Sequence, residues 1–307
     1  MSLELRSERP GDEEAIDLVT CRAFESMDEA NIVRLLREHY PGFDPRYSVM
    51  AWDAGDLVGH ALFTPAPVRL MGRTVRALAV APLSVLPERQ RQGIGGRLLE
   101  FGRRLGRRDG FELAFLAGHP EYYPRHGYTA CFGFAKVTID TDALPQPERT
   151  FHRRPVRPDD LEWLVAQHAA EWADVDFAWL WGEHLGEWRL PCINSTLWWT
   201  EDGRRAAYTM SKPGRGACAM LLADDPAVAR DVIATVRPAS LEHHPAGWLV
   251  RHALDGVAWA TAEVEASEAA MALELHPGAL GAYTDAVASG QRLPGASRWP
   301  LAFVPAI

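Results

Sequence analysis

The sequence predicts a mixed α/β protein organised in two halves, and three observations predict it. Segments with strand patterning alternate with segments whose apolar residues recur at helical spacing. The stretch Glu88 to Leu99, ERQRQGIGGRLL, sets three glycines among arginines between an apolar run and an amphipathic helix. A stretch with four prolines and little apolar periodicity, 141–158, divides the chain. With 307 residues, 47% of them apolar, the chain can bury a sizeable core and suits two domains. The expected units are 1–145, an α/β fold on a mixed (α+β) sheet, and 155–307, a second, smaller α/β domain.

Taken in order, Asp12 stands as an acidic N-cap ahead of a first helix. Arg22 to Tyr40 reads as helical, with Ile32, Leu35 and Leu36 on one face. YSVMAWDAGDLVGHALFTPAPVRL reads as strand, Asp53-Ala-Gly turn, strand. RALAVAPLSVL is a further strand, and Pro82, which cannot donate to a ladder, predicts a bulge there. After the glycine-rich loop, Ile94, Leu98, Phe101 and Leu105 recur at helical spacing with arginines opposite. FELAFLAG is a strand, and HPEYYPRHGYTACFGF holds a short helix and a last strand. Beyond the linker come a helix in DDLEWLVAQHAAEW, a hairpin in STLWWTEDGRRAAYTMS, a helix in DDPAVARDVIATV, and strands near GWLVRH, AMALEL and PLAFV. The segment Arg9-Pro-Gly-Asp-Glu-Glu-Ala-Ile16 resembles Arg157-Pro-Asp-Asp-Leu-Glu-Trp-Leu164, each with an acidic N-cap, Asp12 or Asp160. The pair fits either a common helix start or a duplicated fold, and the spacing of one domain favours duplication.

Composition excludes several classes. The net charge of −9 argues against a general nucleic-acid binder, and the acidity is concentrated in the second half. No apolar run approaches the roughly 18 residues of a membrane span, and the N-terminus is acidic without an apolar signal core, so a cytoplasmic protein is expected. Cys21, Cys131, Cys192 and Cys218 are scattered, and His243-His244 point adjacent side chains apart, so no metal is expected. Ten of the eleven tryptophans lie in the second half, where they serve either as core or as a wall for an aromatic or cationic ligand.

A strand, a glycine-rich turn and a helix start together make an anion site, because the first amides of the helix have no partner within it. Gly93, Gly95 and Gly96 let the backbone approach the anion, and Arg91 and Arg97 add charge. A Walker loop needs Gly-Lys-Ser/Thr at its end, and a dinucleotide fingerprint needs glycine at Leu98 and a loop close to the strand; both fail.

What remains resembles the Gcn5-related N-acetyltransferase (GNAT) superfamily. Gln90-Arg91-Gln92-Gly93-Ile94-Gly95 matches its Gln/Arg-x-x-Gly-x-Gly/Ala signature, LAVAPLSVLPE precedes it, and YYPRHGY follows the next strand where the family has Tyr-x-x-x-Gly-Phe/Tyr. The resemblance covers 1–140 and implies a GNAT fold in the N-terminal half with acetyl-CoA as cofactor. It implies that backbone groups of Leu83, Ser84 and Val85 pair with the pantetheine arm, and that the amides of Arg91, Gln92, Gly93, Ile94, Gly95 and Gly96 hold the diphosphate. It implies Tyr123 as the acid that protonates the leaving thiolate, and an amide freed by the bulge, at Val85, as the oxyanion donor. Glu25 and Asp28, or His119, stand as either base and relay or plain surface residues, and Ile307 offers a terminal carboxylate as a remote alternative. The second half has no Gly-x-Gly loop; as a degenerate GNAT-like duplicate it would cover the acceptor cleft or form a homodimer contact. The expected activity is acetyl transfer to a primary amine of a small molecule or peptide, with no nucleic acid and no membrane involved. The alternative is an acyl-CoA-binding regulatory module without turnover.

Overall fold

The computed structural model describes residues 3–189, 193–211, 216–278 and 280–296. Cys192, the PLAFV strand and Ile307 lie outside the described residues. In chain order the elements are β1 (Glu4–Ser7), α1 (Glu13–Phe24), α2 (Asp28–His39), β2 (Ser48–Asp53), β3 (Asp56–Leu70), β4 (Arg73–Val85), α3 (Ile94–Arg108), β5 (Leu113–Ala117), β6 (Thr129–Ala130) and β7 (Phe132–Ile139). They continue as β8 (His152–Arg154), α4 (Leu161–Glu171), α5 (Leu185–Trp188), β9 (Asn194–Trp199), β10 (Arg205–Ser211), β11 (Ala217–Ala223), α6 (Pro226–Val236), β12 (Ser240–Leu241), β13 (Ala260–Ala266), β14 (Ala270–Glu274), α7 (Gly281–Ala288) and β15 (Gly295–Ala296).

Two expectations are corrected. The helix expected over Arg22 to Tyr40 is two helices, broken where Glu25 takes a left-handed conformation at φ 54°. Apolar spacing carries across such a break because both helices bury the same side. GWLVRH is not a strand: Leu249–Leu254 forms a π-helical turn with Leu249, Ala253 and Leu254 buried. An apolar run this short fits a buried helix as well as a strand. Asp12 and Asp160 do stand at helix starts, but neither carboxylate caps the helix amides.

The strands form two mixed sheets, ordered β1-β2-β3-β4-β5-β14-β6 and β8-β9-β10-β11-β12-β7-β13, with β15 beside β7. The two orders repeat one plan. The fourth and fifth strands are parallel in each, β4 with β5 and β11 with β12, and the other neighbours along each order are antiparallel. The sixth strand of each sheet comes from the other side of the linker: β14 sits beside β5, and β7 beside β12. The short sequence repeat is a matching knot of side chains. Arg6 grips Asp12 at 2.6 and 2.8 Å, Asp12 accepts the Arg9 amide, and Arg6 lies over Trp52. Arg154 grips Asp160 at 2.6 and 2.9 Å, Asp160 accepts the Arg157 amide, and Arg154 lies over Trp199.

One continuous core joins the halves. It runs from Leu36, Met50, Leu62 and Phe115 through Phe132 and Phe177 to Trp188, Leu197 and Tyr208. Phe115, Phe132, Phe177 and Trp179 meet mostly edge to face. The tryptophans of the second half are therefore largely core: Trp172, Trp179, Trp181, Trp188 and Trp198 are buried. A second core packs α3 against β3 and β4 through Phe63, Leu78, Val80, Ile94 and Leu98. Among the described residues no helix is long and apolar enough to cross a membrane, and no group of acidic, histidine or cysteine side chains could hold a metal.

Candidate functional site

The bulge expected at Pro82 is present. Ala61 faces Leu83 and Phe63 faces Val80, so Ala81 and Pro82 both lie opposite Leu62. Past it, no strand among the described residues lies on the other side of β4. Strand β5 pairs with β4 only at Ala77, Leu78 and Ala79, then diverges to pair with β14. The result is a fork closed at the Ala79–Phe115 pair and open toward Val85.

Register decides which groups face the fork. The Leu86 amide donates to the Val58 carbonyl at 3.1 Å, and hydrogen-bonded pairs alternate along an antiparallel ladder. The backbone of Ser84 therefore turns to His60, while the N–H and C=O of Leu83 and Val85 turn into the fork. The Ser84 hydroxyl is equally committed, donating to Thr20 Oγ1 at 3.3 Å in the interior. Of the three residues expected along the arm, Leu83 and Val85 present backbone groups to the fork, whereas those of Ser84 turn to β3. Gln90 Nε2 donates to the Val85 carbonyl at 3.3 Å.

The loop between β4 and α3 is pinned from outside. Arg89 pairs with Asp53 at 2.5 Å, and Arg22 pairs with Glu88 at 2.8 Å. Arg91 takes φ 60° and Gly93 φ 77°, two left-handed residues that curl the loop so that successive amides converge. Among the described residues, the amides of Arg91, Gln92, Gly93, Ile94, Gly95 and Gly96 donate to no protein acceptor; the next amide, Arg97, donates to the Gly93 carbonyl at 3.1 Å. Gly93 caps α3 without a side chain. The glycines at the helix start are seats as well as donors. A side chain on Gly95 would collide with the Tyr122 hydroxyl, and one on Gly96 would meet His126 Cε1 at 2.6 Å.

Tyr123 packs on Gly118, just after β5, and meets Tyr128 and Tyr122 edge on. Burial, with a smaller push from Tyr122, raises its pKa to about 12. Gly118 lies three residues beyond Phe115; Leu83 lies four beyond Ala79, one of them absorbed by the bulge. Tyr123 and Leu83 thus belong to opposite arms of the fork. Glu25, Asp28 and His119 are exposed. Sequence reasoning missed Tyr122 and His126 as neighbours of the loop; the signal available was the Gly95-Gly96 pair, two successive positions without a side chain at a helix start.

The second sheet has the corresponding fork and fills it. Strand β11 is bulged between Cys218 and Met220, and β12 pairs with it only at Ala217 and Cys218. Beyond, the Leu221 amide donates to His243 Nε2 at 2.9 Å. An amide can only donate, so Nε2 accepts and Nδ1 carries the hydrogen to Glu171 Oε1 at 2.8 Å. Glu171 also accepts the Leu249 amide, and Trp172 stacks on the His243 ring. The start of α6 is closed as well, since the Asp225 carboxylate accepts the Ala227 and Val228 amides. One fork is open and its twin is plugged.

Comparison with known proteins bears on this geometry. Residues 4–131 match the family model described as an acetyltransferase (GNAT) domain. The chain is 40% identical over 115 residues to the uncharacterized N-acetyltransferase YjhQ of Escherichia coli K12, covering 38% of this chain and 63% of that protein. It is 32% identical over 124 residues to the uncharacterized N-acetyltransferase YhbS of the same organism, covering 40% of this chain and 72% of that one. The crystal structure of a GCN5-related N-acetyltransferase from Anabaena variabilis shares the fold over 89% of this chain and 73% of its own, with 11% identity and a TM-score of 0.68.

Proposed function

Because the chain belongs to the GNAT acetyltransferase family, we propose that it is an acetyl-CoA-dependent N-acetyltransferase acting on a primary amine of a small molecule or peptide. One observation carries the reading: among the described residues, the edge of β4 past the bulge faces no strand, and it runs into a loop whose amides have no protein partner. An edge of this kind suits the amide groups of an extended arm, and convergent amides at a helix start suit a diphosphate. The plugged twin strengthens the argument, since the same fold closes both features where no coenzyme is served.

When bound, acetyl-CoA supplies an activated acyl thioester. The amides of Arg91 to Gly96 would hold the diphosphate, and the open edge of β4 would take the arm. Val85 offers its N–H and C=O to that arm, with Gln90 giving up the carbonyl. The Leu83 amide is the outward donor nearest the bulge, and we assign to it, rather than to Val85, donation to the thioester oxygen as negative charge builds there. Tyr123, on the opposite arm of the fork, would supply the proton that the departing thiolate takes up. Glu25, Asp28 and His119 are all exposed, open to exchange a proton with solvent, and the incoming amine must lose its proton by such a route. A cytoplasmic setting fits this reading.

The test is a calorimetric titration with CoA joined to a CoA-release assay over a panel of primary amines. Binding with release on at least one amine is expected. Absence of heat with folded protein overturns the reading. Binding without release on any amine supports the alternative, a CoA-binding regulatory module.

A further inference from the structure

The turn between β5 and β6 lies against the start of α3, and two of its side chains are seated there in a way the acetyltransferase reading does not use. The Tyr122 hydroxyl fills the space a Gly95 side chain would need, and Tyr122 Cζ lies 3.5 Å from that position. Leu83 Cδ2 lies 3.7 Å from the same point, so the phenol and a side chain of β4 both reach the first turn of α3 at Gly95. This is the corner at which an arm leaving the loop amides would turn onto the strand. The ring is held from two sides, by Tyr123 at 5.1 Å and 81° and by His126 at 4.8 Å between centroids. His126 is itself seated on Gly96, and its backbone carbonyl accepts Arg103 Nη1 at 3.1 Å, which ties the turn to α3.

The seat is costly to build. Glycine is among the weakest helix formers, and this helix opens with Ile94-Gly95-Gly96. Gly93 already gives the backbone its left-handed turn at φ 77°, so Gly95 and Gly96 are not needed for that purpose. What they permit is the approach of a hydroxyl and an imidazole to the loop. The Tyr122 side chain is only half-buried, and its hydroxyl makes no hydrogen bond among the described residues.

We propose that Tyr122 is a coenzyme-binding residue whose hydroxyl donates to the phosphate next to the pantetheine arm, with His126 as the positioning residue that holds its ring. The inference rests on the acetyl-CoA reading. It adds a side-chain donor to a site otherwise made of backbone, and it separates the neighbouring tyrosines: Tyr122 serves the diphosphate and Tyr123 the sulfur. A neutral hydroxyl donating to a charged oxygen is among the stronger hydrogen bonds, and the phenol loses nothing elsewhere by making it.

The experiment compares dissociation constants for CoA and for pantetheine, which has the arm but no diphosphate, in wild type, Tyr122→Phe and His126→Ala. Tyr122→Phe keeps the ring and its packing, so the fold is expected to hold, with the melting temperature as the check. The expected result is a CoA dissociation constant about tenfold higher in Tyr122→Phe, a smaller rise in His126→Ala, and pantetheine affinity unchanged within about twofold in both. Unchanged CoA affinity in Tyr122→Phe overturns the proposal. So does an equal loss for CoA and pantetheine, which would mean that the hydroxyl only shapes the arm channel. Failure of wild type to bind CoA at all overturns the coenzyme reading itself, an outcome distinct from either.

Discussion

Tyr123 is poised by burial rather than by a hydrogen-bond partner. Its ring is packed between Gly118 and Tyr128, and its pKa is pushed up to about 12. The sign matters for the reaction. A phenol raised above its ordinary value keeps its proton as pH climbs, so the donor stays loaded through the range in which an amine acceptor becomes neutral. Tyr123→Phe is expected to lower kcat about 100-fold while leaving the CoA dissociation constant within about twofold. The wild-type rate should not decline between about pH 8 and 10; a decline there that disappears in Tyr123→Phe would contradict the raised pKa. Much of this site was legible in the sequence, because the spacing of Tyr123 to Gly127 and of Gly93 to Gly95 is a covalent fact. The role of Ser84 was not legible. A shift of one residue in register exchanges the groups that face the fork with those that face the neighbouring strand, and only the Leu86-to-Val58 bond fixes it.

At the scale of elements, the repeated knot shows the same motif under two degrees of burial. Asp160 is fully buried, held by Arg154 at 2.6 Å and Arg205 at 3.0 Å. Asp12 has one arginine and keeps 12% of its side chain exposed. Burial opposes the charge on Asp160, and the bonds from Arg154, the Arg157 amide and Arg205 outweigh it; the bond from Arg6 leads for Asp12. Both carboxyls lie below their usual range. Asp160→Ala strands two arginine bonds in a buried site and is expected to cost about 3–5 kcal/mol, with Asp12→Ala costing less, as chemical denaturation would measure. A depressed carboxyl pKa stabilises the fold above the unfolded value, near 4, and that stability drains away as pH falls through the folded value. The acid limb of a melting-temperature profile should therefore flatten in Asp160→Ala. The repeat was readable at the start of both helices, where Asp12 and Asp160 hold the N-cap position, but their carboxylates bind an upstream arginine and an upstream amide rather than the first amides of α1 and α4. Capping residues and residues that bind an upstream arginine share one sequence position, and only the fold tells them apart. The break at Glu25 was hidden for a related reason, since no glycine or proline marks it.

At the scale of the whole molecule, duplication and strand exchange pull in opposite directions. The repeated sheet plan offers two forks, but His243, Glu171 and Asp225 close the second, so CoA should bind with a stoichiometry of one per chain by calorimetry; a second site of comparable heat would overturn that reading. Exchange makes the halves interdependent. Strand β14 is the neighbour of β5 along its whole length, and Ala270, Met271 and Ala272 are fully buried there. Strand β7, which precedes the linker, finds its partner strands among the described residues only in β12, β13 and β15 beyond it. A chain cut within 141–158 would leave β5 with an unpaired apolar edge and β7 with no sheet at all, and exposed edges of that kind pair indiscriminately. The composition that marks the linker says nothing of this, because exchange is a property of pairing between residues more than a hundred positions apart. The full chain is expected to melt in a single transition by calorimetry, and the fragment 1–145 alone to show none and to bind no CoA. Co-expression with 146–307 should restore both, since the two fragments together hold every strand of both sheets. A fragment 1–145 that melts cooperatively and binds CoA unaided would mean that β14 is dispensable to the first sheet.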